Sequence, residues 1–219
     1  MANLIDISYF KNGDLYIPNT ENINSGEIGS ANNSDLEFYI VEYERELLIN
    51  ALGIVLYTEY KTALSDLDNS DQKWKDLIDG VTYSNPSGVK KRWEGLKGAN
   101  KQSLVACYIF TQYLRNYNET FATTGVVKND SQNATNQSAT PKFIKAYRKF
   151  INQYQGDCEY APQFYINEFG SQGLDYYATE NATVSLYQFL VDSNELDKTK
   201  FPDLSFKFYQ QTNSLGIWL

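Results

Sequence analysis

Carboxylates are the main side chains in this sequence that could take part in chemistry. The 219 residues include 27 Asp and Glu, two Cys and no His. The commonest metal ligand and the easiest general base near neutral pH are therefore missing. Two carboxylates at a fixed separation could act as acid and base in hydrolysis, but no motif here fixes such a separation. A small hydrolase is the third of three hypotheses for this chain.

Motifs that hold phosphates or activate a nucleophile are also missing. The sequence contains no G-x-G-x-x-G, no G-x-x-x-x-G-K-[ST] and no G-x-S-x-G. Cys107 lies in an apolar run, so we expect a small core residue rather than a nucleophile. With Cys158 it makes only two thiols, too few for a disulfide framework or a four-thiolate zinc site. We therefore predict a protein that is not an enzyme and holds no cofactor or metal.

Two charged segments have alternative interpretations. Residues 66–71 resemble a calcium loop but lack its glycine and its last glutamate, so a helix-capping turn is favoured. Lys90-Lys91-Arg92-Trp93, with Lys97 and Lys101, is interpreted as the basic cluster of the chain. It could contact DNA or an acidic neighbour, but ordinary solvated charge beside a packed Trp is favoured.

The overall composition excludes several classes of protein. Lys and Arg number 19, so the net charge is −8, which argues against a general nucleic-acid binder. No apolar run approaches the ~18 residues of a membrane span, and the first residues lack the pattern of a signal peptide. The 18 Tyr, 12 Phe and 3 Trp are expected in the core or at its boundary, and they also suit protein interfaces.

The apolar spacing predicts a mainly α fold, a small helical bundle with irregular ends. Residues 1–33 are predicted to form an extended N-terminal arm that could include one short hairpin. Residues 34–200 form the helical domain, and residues 201–219 form an irregular C-terminal tail. Helices are predicted over 34–64 (capped by Ser34 with Glu37 and bent at Gly53), 71–80, 102–118, 140–156 and 184–191. The helix over 102–118 is apolar nearly all round and should be central. Residues 81–100 are turn-rich, and 121–140 form a polar loop too long for an ordinary connection.

Five segments, in this order, resemble motifs of one phage protein family. Residues 40–57 read IVEYERELLINALGIVLY, 74–80 WKDLIDG, 91–96 KRWEGL, 123–128 TTGVVK and 213–217 NSLGI. They are similar to segments of head-to-tail connector (adaptor or ring) proteins from crAss-like and related phages of Bacteroides-type bacteria. The resemblance covers residues 35–219 and leaves the N-terminal arm outside it.

The resemblance implies a mostly helical subunit of a ring of about twelve copies. It would lie in the virion between the portal protein and other connector or tail proteins, after synthesis in the host cytoplasm. DNA would pass through the ring without sequence-specific binding, and no membrane would be involved. Net negative charge fits such a conduit because it repels the genome.

Apolar residues in the two irregular ends are the predicted subunit interface. They are Ile5, Ile7, Leu15 and Ile17 in the arm, and Phe201, Phe206, Phe208, Ile217 and Trp218 in the tail. Deletion of residues 1–33 is expected to abolish ring incorporation and leave the helical domain folded. The alternative hypothesis is a surface carbohydrate-binding or adhesin module, because Tyr and Trp also stack on sugars.

Overall fold

The computed structural model describes residues 3–17, 28–117, 120–122, 125–127, 140–156 and 182–209. These residues are mainly helical, which confirms the predicted fold class. The described part contains six α-helices: α1 (Ile28–Leu52), α2 (Ile54–Ser65), α3 (Gln72–Asp79), α4 (Leu104–Tyr117), α5 (Thr140–Tyr154) and α6 (Leu186–Leu196). It also contains five short strands: β1 (Val81–Ser84), β2 (Lys90–Trp93), β3 (Thr120–Ala122), β4 (Gly125–Val127) and β5 (Ala182–Thr183).

Helix α4 is the centre of the bundle, as its sequence predicts. Every residue from Leu104 to Thr111 is buried. The ring of Tyr108 contacts Tyr43 of α1 at 6.3 Å on one side and Phe150 of α5 at 5.0 Å on the other. A helix between two others must be apolar around most of its circumference, and this explains the unbroken run of buried residues.

Helix α1 begins earlier than the sequence predicts. It starts at Ile28, so Ser34 lies within the helix and the predicted capping box is wrong. The apolar repeat begins only at Leu36, which is buried, and periodicity reveals the packed part of a helix rather than its first turns. The predicted bend is present at Gly53, whose φ of +80° separates α1 from α2.

Two strands of a small sheet lie in the segment 81–100, for which the sequence predicts turns. β1 pairs with β2 in antiparallel fashion, with Val81 opposite Trp93, and β5 adds to β2 in parallel. The Trp93 indole N–H donates to the Leu77 carbonyl at 3.0 Å, and its ring stacks on Phe189 of α6 at 5.6 Å. Trp93 therefore links the sheet to both α3 and α6.

A second, two-stranded sheet lies at the start of the predicted polar loop. β3 and β4 pair in antiparallel fashion, with Thr120 opposite Val127. Residues 128–139 of that loop lie outside the described residues.

Candidate interaction surfaces

The N-terminal segment 3–17 is part of the core rather than a free arm. It forms two 3₁₀ turns, Ile7–Phe10 and Gly13–Leu15, in place of the predicted hairpin. Of the predicted interface residues, Ile5, Leu15 and Ile17 are buried in the core of their own chain, and Ile7 is half-buried against it. The three buried side chains are not available to a neighbouring subunit unless the segment detaches.

A buried carboxylate anchors this segment to α1. The Leu4 N–H donates to both oxygens of Glu44 at 3.0 Å, and the Ile5 N–H donates to Oε2 at 3.3 Å. Lys61 Nζ lies 3.9 Å from Oε1. Burial raises the pKa of the Glu44 carboxyl, while the two backbone amides and Lys61 act in the opposite direction. Both oxygens have partners and the residue is 2% exposed, so Glu44 positions the N-terminal segment and does not face solvent.

A buried tyrosine lies in the same region. Tyr60 of α2 is fully buried, and its hydroxyl has no hydrogen-bond partner within the described part of the chain. Burial, with smaller contributions from Glu44 and Tyr57, raises the pKa of this hydroxyl well above its ordinary value. The phenol is therefore neutral, and its ring packs on Trp74 at 6.1 Å.

The beginning of the C-terminal tail is fixed to the helices. Phe201 is fully buried against Trp74, at a ring separation of 5.8 Å. Further along, the Lys207 N–H donates to the Asn50 carbonyl at 2.8 Å, and the Tyr209 N–H donates to Gln155 Oε1 at 2.8 Å. Residues 201–209 thus form an irregular strap that crosses the ends of α1 and α5.

An aromatic cleft lies between this strap and α6. Tyr187, Phe206 and Phe208 contact one another, with ring centroids 4.9 to 5.2 Å apart. They line an open cleft of about 590 Å³ together with Val191 and Leu204. Phe208 is 52% exposed and Phe206 half-buried, so both of these predicted interface residues are accessible in the cleft. Ile217 and Trp218 lie outside the described residues.

Two exposed apolar pairs, one on α1 and one on α2, were not predicted from the sequence. Phe38 and Val41 of α1 are 66% and 51% exposed, and Ile54 and Val55 at the start of α2 are 58% and 67% exposed. Phe38 and Val41 are apolar but lie outside the buried stripe of Leu36, Ile40 and Leu47. Apolar residues outside the main stripe of a helix are the sequence signal that could have revealed them.

Side chains of the two charged segments form hydrogen bonds and an ion pair within the fold. Asn69 Nδ2 donates to the Asp66 carboxylate at 3.0 Å within the turn between α2 and α3. Lys97 pairs with Asp79 at 2.8 Å, and Lys101 donates to the Ser8 hydroxyl at 2.8 Å. Lys91 is buried in β2. The cluster around Trp93 thus includes side chains that are already engaged within the chain.

The remaining sequence-predicted groups can also be located. Cys107 is buried in α4, and burial raises the pKa of its thiol to about 12; Cys158 lies outside the described ranges. In those ranges no three His, Cys, Asp or Glu side chains are close enough to hold a metal ion. Nor does any helix there combine the length and apolarity needed to cross a membrane.

In comparisons with protein-family models, curated proteins and solved structures, no match to this chain was found.

Proposed function

We propose that the chain is a structural virion protein, a subunit of the head-to-tail connector ring that joins portal to tail and forms part of the DNA conduit. The resemblance of five segments in order to connector proteins supports this proposal. A mainly helical fold is the architecture that the resemblance implies, and the described residues have it.

The observation that carries the proposal is the set of exposed apolar side chains on α1 and α2. Within the described part of the chain, seven large apolar side chains are exposed, and four of them are Phe38, Val41, Ile54 and Val55. Single exposed apolar residues need no explanation, but neighbouring pairs such as Phe38 with Val41 and Ile54 with Val55 are typical of protein contact sites.

A ring also needs a second, different surface. Neighbours related by rotation contact each other through two unlike patches. The aromatic cleft of Tyr187, Phe206 and Phe208 offers an accessible surface formed by other elements, α6 and the strap. Under the connector proposal this cleft is available either to a neighbouring subunit or to the layer above or below the ring.

Portal binding tests the proposal. The purified chain is mixed with the portal protein encoded in the same genome, and the mass of the complex is measured by light scattering. We expect a mass increase equal to a whole ring of copies. The double variant Phe38→Ser with Val41→Ser should reduce incorporation at least tenfold.

The matched control is Leu196→Ser, which removes an apolar side chain of similar exposure, 51%, from α6. It should leave incorporation unchanged. Absence of any portal complex with the unaltered chain would contradict the proposal.

The alternative function, a surface carbohydrate-binding module, is favoured by one observation, the aromatic cleft. Ring faces in an open cleft can stack on sugars, and the cleft volume lies in the range of small-ligand sites. A glycan array should then give saturable binding that is lost in Phe208→Ala. Since Phe208 is 52% exposed, this substitution should leave the stability of the fold nearly unchanged.

A further inference from the structure

Charge is distributed very unevenly along this acidic chain. Residues 28–79 include 11 acidic and four basic side chains, a net charge of −7. Helix α5 has four basic residues and no acidic one. Helix α4 packs on both α1, which belongs to the acidic region, and α5, and it contacts each of them through Tyr108.

The basic residues of α5 lie on its outer face, a surface that was not recognised from the sequence. Lys142, Lys145 and Arg148 are exposed and Lys149 is half-buried, whereas the opposite side of the helix is buried (Ala146, Tyr147, Phe150, Ile151 and Tyr154). Lys145 pairs with Asp14 at 2.9 Å, but both side chains are more than half exposed, so this pair contributes little. Lys149 donates to Gln102.

The outer face of α1 has the complementary character. Glu37, Phe38, Val41, Glu42 and Arg45 are all exposed, and their spacing places them on one side of the helix. Two apolar side chains there lie between two carboxylates. Leu36, Ile40 and Leu47 on the other side belong to the core.

We propose that the basic face of α5 (Lys142, Lys145, Arg148 and Lys149) docks on the outer face of α1 (residues 37–45) of a second copy of this chain. The inference deepens the proposed ring function and rests on it. Lys142, Lys145 and Arg148 lie opposite the buried side of α5, and the exposed residues of α1 lie opposite its buried stripe. Because α4 lies between the two helices, one chain cannot join these faces to each other. Repetition of the contact therefore produces a head-to-tail assembly with two unlike patches per subunit.

The chemistry of both faces favours a second copy over DNA. The lysine ammonium groups can reach Glu37 and Glu42, while their methylene stems cover Phe38 and Val41. Phosphates would pair with α5 but would leave that apolar pair uncovered. The net charge of −8 also opposes association with DNA.

Charge reversal on the full chain tests the inference. The α5 variant is Lys142→Glu with Lys145→Glu, the α1 variant is Glu37→Lys with Glu42→Lys, and a third chain combines all four. Self-association is measured by analytical ultracentrifugation, up to millimolar concentration. We expect the unaltered chain to associate and each double variant to associate at least tenfold more weakly. An equimolar mixture of the two double variants should recover most of the lost association. The chain that combines all four substitutions should also recover most of it.

The control reverses two exposed lysines elsewhere, Lys90→Glu with Lys207→Glu, and should not change association. Circular dichroism checks that every variant is folded. Salt should weaken association of the unaltered chain, since exposed charges are screened. A chain that is monomeric at millimolar concentration, or a mixture with no recovery, would overturn the inference.

A DNA titration and the portal experiment separate the other outcomes. If the α5 variant loses DNA binding but associates normally, nucleic acid is the occupant of that face and the inference is wrong. If the unaltered chain associates through these faces but does not bind the portal, the inference holds and the connector function fails. If it binds the portal and the reversals have no effect on association, the function holds and the inference fails.

Discussion

The N-terminal segment should stabilise the helical core, and Phe10→Ala measures this directly. Phe10 is fully buried, and its carbonyl accepts the Ile17 N–H at 2.9 Å, which closes the segment on itself. Truncation of a buried Phe to Ala costs about 3–5 kcal/mol, through lost burial and the cavity left behind. A domain of this kind is stable by only about 5–15 kcal/mol, so we expect a large fraction of the free energy of unfolding to be lost.

The assay is equilibrium unfolding in urea, followed by circular dichroism of the helices. With an m-value of about 2 kcal/mol per M, the midpoint should fall by about 2 M. The control is Tyr16→Ala in the same segment, where the side chain is 41% exposed; it should cost under about 1 kcal/mol.

Equal, small effects of the two substitutions would refute this reasoning. They would mean that residues 3–17 can detach while the helices stay folded, as the sequence alone led us to expect for residues 1–33. If Phe10→Ala is strongly destabilising, a failure of a 1–33 deletion to enter the ring would reflect lost folding and could not be attributed to a lost interface.

Three further predictions concern Gly95, Glu44 and Cys107. In urea unfolding, Gly95→Ala should be much more destabilising than Gly88→Ala. Both glycines have positive φ, but a Cβ on Gly95 would lie 2.6 Å from backbone atoms of residues 78–80, whereas a Cβ on Gly88 would have no atom within 4 Å. Equal costs would contradict this. The pKa of the Glu44 carboxyl is raised in the folded state, so its stabilising contribution is fully present below the ordinary glutamate pKa of 4.5 and is lost as pH rises through the higher folded value. When urea midpoints are compared at falling pH, the unaltered protein should therefore gain stability relative to Glu44→Gln. A loss of stability relative to Glu44→Gln would show that the pKa is lowered instead. In a Cys158→Ser background, Cys107 should not react with a thiol reagent at pH 8 until urea unfolds the chain, because burial raises its pKa to about 12; rapid native labelling would show that α4 is accessible.

The helices could be predicted from sequence because their apolar residues are close together along the chain. Leu104 to Phe110 are consecutive apolar residues, and such a run fits a helix in contact on several sides. The mainly helical fold class and the central position of α4 follow from this pattern alone.

The structure of the N-terminal segment could not be predicted, because its partners are distant in sequence. Leu4 and Ile5 bond to Glu44, 40 and 39 residues away. The alternation of Ile5 with Ile7, and of Leu15 with Ile17, fits a hairpin as well as two 3₁₀ turns. Long-range contacts decide between them.

Strand β2 shows the same limit. Its sequence, Lys-Lys-Arg-Trp, has little intrinsic preference for a strand, and the strand forms because it pairs with β1 and because Trp93 is buried on Phe189.

The accessible surfaces were only partly predicted: Phe206 and Phe208 were included, but Phe38, Val41 and the basic face of α5 were not. The basic face of α5 leaves no apolar repeat by which it could be recognised, whereas Phe38 and Val41 could have been recognised as apolar residues outside the buried stripe of α1.

Electron-microscopy images of the chain mixed with its portal protein test the central claim most directly. The connector proposal predicts class averages with a ring of regularly spaced copies on one face of the portal, and the images would give the copy number at once. Portal particles without added density, beside a chain that stays separate at every concentration tried, would contradict it.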